Sequence, residues 1–129
     1  MNGKVFDHSA LSQFAAAPEV YRQTLLNVAM RDGATLAVPA SAYQVTIALR
    51  PLVQSVLFDL VTSPGVALHV FGDRVDLENA AYLVAPHPEL RRDVCAAHCC
   101  LIAVQTGWPI VTGEPQLYVP LGLEVEKMP

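Results

Sequence analysis

Lys4-Val5-Phe6-Asp7-His8-Ser9-Ala10-Leu11 contains the change of period on which the fold turns. Lys4-Val5-Phe6 reads as a short extended segment, and the residues after Asp7 begin a helical pattern with Ser9 as its N-cap. That step puts Asp7 at a strand-to-helix junction. Downstream, Pro18-Glu19 opens a second helix in the favoured way, with proline and an acid in the first turn. Tyr21, Leu25, Val28 and Ala29 give this helix one apolar face, and it stops near Asp32-Gly33. Residues 35–38 form a second buried strand between Gly33 and Pro39. Helices are expected over 41–49 and 51–61, divided at Arg50-Pro51 because the residue before proline avoids the helical region.

The same alternation continues to the carboxyl end. Ser63-Pro64-Gly65 is a turn, residues 66–71 a third strand, and Asp73 caps a helix reaching Ala85. A long helix is expected from Glu89 to Thr106, closed by Gly107 as its C′ glycine. Residues 109–112 supply a fourth strand, and residues 123–125 a short last one. Strands of three to six residues alternating with helices are the pattern of βαβ units. The expected fold is one α/β domain over residues 1–129, a three-layer α/β/α sandwich with a central, mainly parallel sheet.

Composition agrees with one packed domain. The chain has 129 residues, 53% of them hydrophobic and 16% charged, with a mean hydropathy of +0.36. That excludes a long disordered tail or a basic arm. The longest apolar run, residues 94–104, is broken by His98 and falls short of the ~20 residues of a membrane-spanning helix. Lys4 and Asp7 stand where a secretion signal needs apolar residues, so a cytoplasmic protein without membrane contact is expected. Net charge is −4, and Lys4 and Lys127 are the only lysines. Composition therefore gives little of the counterion-release contribution that dominates nucleic-acid affinity.

Ligands of open α/β sheets bind beyond the carboxyl ends of the strands. Asp7 follows the first strand there, Glu114 follows the fourth, and Asp93 lies at the start of the helix feeding the fourth. Three converging carboxylates need a compensating cation, and hard oxygen ligands suit Mg²⁺ or Mn²⁺. Such a centre can polarise a phosphodiester and activate water. Each acid also has a purely structural reading, since negative charge is favoured at helix starts.

The order of these pieces resembles a PIN domain, a compact metal-dependent nuclease fold found in bacterial toxins and RNA-processing enzymes. Val5-Phe6-Asp7-His8-Ser9-Ala10-Leu11 is similar to the family's opening strand and helix start. Gly107-Trp108-Pro109-Ile110-Val111-Thr112-Gly113-Glu114-Pro115 is similar to its late strand and acidic turn. Val38-Pro39-Ala40 resembles the second strand's exit, and Asp93-Val94-Cys95-Ala96-Ala97-His98 the acid-led helix. The resemblance implies a Mg²⁺- or Mn²⁺-dependent ribonuclease acting on RNA. Asp7 would be the primary metal ligand, Asp93 and Glu114 would complete the set, and Ser9 and Thr112 would offer hydroxyls to water or phosphate. It also admits an antitoxin protein and a second copy of the chain as partners.

The chain departs from that pattern. Residues 41–49 lack the family's helix acid, with Gln44 or Val45 in its place. The usual spacing back from Thr112 lands on Ala96 rather than Asp93, and Glu114 stands where aspartate is common. The alternative reading is therefore a catalytically impaired module that binds RNA or a protein partner. On the crowded-carboxylate picture, Asp7→Asn relieves repulsion and leaves stability unchanged or higher. Cys95, His98 and Cys99 share a helical face but lack a fourth zinc ligand, so they are expected to pack. Trp108 and Tyr118 are expected in core or edge packing rather than stacked on a base.

Overall fold

The computed structural model describes residues 2–129 as a five-stranded, wholly parallel sheet with helices on both faces. Strand β1 (Asn2–Phe6) leads into α1 (His8–Ala16) and α2 (Glu19–Arg31). Strand β2 (Ala34–Pro39) leads into α3 (Ala40–Leu49), a 3₁₀ turn (Pro51–Val53) and α4 (Gln54–Val61). Strand β3 (Val66–His69) is followed by α5 (Arg74–Val84), a 3₁₀ turn (Pro88–Leu90) and α6 (Val94–Thr106). Strand β4 (Ile110–Val111), two 3₁₀ turns (Pro115–Leu117 and Val119–Leu121) and β5 (Val125–Glu126) complete the chain.

The strands lie in the order β3-β2-β1-β4-β5. The chain winds outward from β1 through β2 to β3, then crosses back to β4 on the other side of β1. The register sets Val5 against Ala37 on one side and Ile110 on the other. Two apolar layers arise from the side-chain alternation of β1. Val5 joins Ala37, Ile110 and the buried face of α6, while Phe6 joins Leu36, Val38, Val111 and residues of α1 and α4. Gly3 has no room for a side chain: a Cβ there would stand 2.6 Å from the Trp108 ring.

Three expected helix starts move, the helix expected from Pro51 beginning at Gln54 after a 3₁₀ turn. Asp7, not Ser9, caps α1, and its Oδ1 accepts the Ala10 N–H at 2.9 Å. The long helix begins at Val94 rather than Glu89, because Pro88–Leu90 closes as a separate 3₁₀ turn and Asp93 caps α6. Among the described residues, no helix is long and apolar enough to cross a membrane.

Candidate functional site

A parallel sheet whose winding reverses leaves a crevice between the carboxyl ends of the strands on either side of the reversal. Here that place lies between β1 and β4, at Asp7 and Thr112. The crevice is filled by a buried polar network. Asp7 is 1% exposed. Its Oδ1 accepts the Ser9 hydroxyl at 2.6 Å and the Ala10 N–H at 2.9 Å. Its Oδ2 accepts the Thr112 hydroxyl at 2.5 Å and the Tyr118 hydroxyl at 3.0 Å.

Two backbone donors hold the Ser9 and Thr112 hydroxyls in place. The Gly113 N–H donates to Ser9 Oγ at 2.8 Å, and the Glu114 N–H donates to Thr112 Oγ1 at 2.9 Å. Ser9 and Thr112 thus relay backbone donors of the β4 turn to one carboxylate. Tyr118, also 1% exposed, closes the network from the side of the 3₁₀ turns. Burial, and then the neighbouring Cys99 and Asp7, push the Tyr118 phenol up, so it stays a neutral donor.

The structure brings three of the sequence-predicted residues together, Asp7, Ser9 and Thr112, and leaves the other two acids out of the cluster. Asp93 is half-buried and turns its Oδ1 back on its own helix, accepting the Ala96 N–H at 2.9 Å. Glu114 joins the network through its backbone N–H. Among the described residues, no three His, Cys, Asp or Glu side chains form a group able to hold a metal ion. The expected Asp7, Asp93 and Glu114 set therefore does not assemble, and the expected primary ligand is engaged elsewhere. A carboxylate offers about four lone-pair positions, and four donors take those of Asp7. The geometry at Asp7 thus offers a divalent cation one carboxylate that is already hydrogen-bonded on both oxygens.

Asp93 instead lines an open cleft of about 510 Å³ with His8, Val45, Glu89, Arg92 and Cys95. Val45, on α3, therefore holds the side of this cleft where the resemblance calls for an acid, while Gln44 is exposed. An isopropyl group there gives a cation nothing to bind.

Beside the network lies a second buried group that the sequence did not identify as part of a site. His98 is 2% exposed, its Nδ1 lies 3.3 Å from Ser41 Oγ, and its ring stacks on Phe71 with centroids 4.0 Å apart. Burial, reinforced by the nearby His69, lowers its pKa to about 4. Neither Ser41 nor Phe71 is signalled by local pattern, because separate elements of the chain bring them together. Tyr118 carries no site signal for the same reason.

Cys95, Cys99 and Cys100 are free and buried. Burial raises all three thiols, Cys100 to about 12. The thiolate is the reactive form, so a disulfide reagent should label the native protein far more slowly than the denatured one. Rapid labelling of all three thiols in the native state would contradict this packing. Elemental analysis should find no stoichiometric zinc.

No protein-family model and no curated protein matches this chain.

Proposed function

We propose that this chain is a non-catalytic binding module on a PIN-like scaffold, with a protein as its partner. The observation that carries the reading is the Asp7 carboxylate, which spends its lone pairs on Ser9, Ala10, Thr112 and Tyr118. A divalent cation would have to displace these donors from a closed site and would find no second and third carboxylate beside it. In this reading the network does for the switch-point crevice what a metal does in a nuclease: it satisfies a buried acid.

Surface character favours a protein over RNA. Three of the eight lysine and arginine side chains pair with acids, Lys4 with Glu126 at 2.6 Å, Arg74 with Glu78 at 2.6 Å and Arg31 with Asp32 at 3.6 Å, on a chain of net charge −4. That net negative charge opposes the approach of an RNA backbone. Incubating the purified protein with structured and single-stranded RNA in Mg²⁺ or Mn²⁺ should give no cleavage. Cation-dependent cleavage that Asp7→Asn abolishes in a folded protein would overturn the reading. Salt-sensitive RNA binding without cleavage would replace the protein partner by RNA.

A further inference from the structure

The face of the sheet opposite α6 is covered unevenly. Toward the carboxyl ends of its strands, that face packs against buried residues of α1 and α4. Over its amino half the cover is α2, which has thirteen residues and none buried. The cause is side-chain size. Ala29 on the helix and Ala34 on the strand both face the gap, and two methyl groups cannot fill the space between a helix and a sheet. A cleft of about 360 Å³ lies there, its apolar lining supplied by Leu25, Val28 and Pro129 and, deeper, by the edges of Phe6, Leu36 and Val111. Protein interiors are normally packed without such gaps, because wall atoms facing a void lose their dispersion contacts.

The rim determines what could fill it. Lys4 and Asp32 are the charged side chains among the residues that line it. Lys4 Nζ is held by Glu126 at 2.6 Å, and Asp32 Oδ1 lies 3.6 Å from Arg31 Nε. Each charge is already matched, so the cleft has no net charge to offer a ligand ion. The rim's remaining polar side chain, Asn2, offers amide hydrogen-bonding groups without charge. From this complementarity we propose that the cleft between α2 and the sheet is a binding site for an uncharged, mostly apolar small molecule with a hydrogen-bonding edge. Its volume lies within the roughly 300–1,000 Å³ of small-molecule sites. The site is separate from the Asp7 network and does not depend on the proposed function.

The neutral dye Nile red is a suitable probe. It should bind saturably at one per chain, raise the melting temperature and slow amide exchange in the second half of α2. Ala29→Phe fills the cleft from the helix, and Ala34→Leu from the strand. Either should weaken dye binding by about tenfold or more. Both variants should remain at least as stable as the parent, since they fill a void. Leu52→Ser, which removes an exposed apolar side chain not lining the cleft, should bind as the parent does. Non-saturable binding, unchanged affinity in a folded, filled variant, or loss of binding in Leu52→Ser would overturn the proposal. Should both filled variants fail to fold, unprotected α2 amides in the dye-bound parent would overturn it equally.

Discussion

Asp7→Asn should destabilise the protein by about 2–4 kcal/mol, the cost of confronting buried hydroxyl donors with an amide instead of a carboxylate. This reverses the outcome expected from crowded carboxylates, because the crowding does not exist. An asparagine oxygen can still cap α1, accepting from Ala10 and Ser9 as Asp7 Oδ1 does. Its NH₂ group would then face the hydroxyls of Thr112 and Tyr118, which now donate to Oδ2. Tyr118 cannot turn to water, being 1% exposed. Asp7→Ala removes both acceptors and the cap together and should cost more, about 4–5 kcal/mol. Urea unfolding monitored by circular dichroism reads the difference directly. An Asp7→Asn variant as stable as the parent would mean that the network contributes little to stability.

His98 should make stability fall in mild acid. Its native pKa is lowered to about 4, against an ordinary value of 6.5, by burial first and by the neighbouring His69 second. The opposing charge is Asp76, while Ser41 Oγ faces the ring's Nδ1 and Phe71 stacks on its face. Between these two pKa values the unfolded chain binds the proton and the native chain does not. Stability is therefore complete above about pH 6.5 and declines as pH falls, by about 2 kcal/mol at pH 5 and about 3 kcal/mol at pH 4. His98→Gln should flatten the dependence in this window. A parent protein equally stable at pH 5 and pH 7 would show that the histidine is not held neutral.

Much of the fold is legible in the sequence because it rests on local signals. Gly107 takes the left-handed conformation expected of a C′ glycine, with φ of 75°, and Asp73 caps α5 by accepting the Asp76 N–H. Alternating short strands and helices suffice for a parallel three-layer sandwich. The helix starts are less legible. Ser9 and Asp7 are both good capping residues, and what separates them is the tie from Ser9 Oγ to the Gly113 N–H, 104 residues away. Periodicity puts Asp93 inside a helical turn, but a cap at that position directs its carboxylate to Ala96. Side chains gathered from distant strand ends have no local signature, and so neither Tyr118 nor the Ser41–His98 pair can be read from pattern alone.

On the proposed reading, the acids of the nuclease-like motif order do structural work. Asp7 holds the switch point closed, Asp93 starts a buried helix, and the Glu114 backbone orients Thr112.

The most direct test is a calorimetric titration of the metal-free protein with Mn²⁺ at neutral pH. With the Asp7 oxygens occupied and no three-ligand group nearby, no saturable binding is expected at micromolar concentrations, and the melting temperature should not respond to the ion. One Mn²⁺ bound per chain at micromolar concentration, and lost in a folded Asp7→Asn variant, would contradict the account.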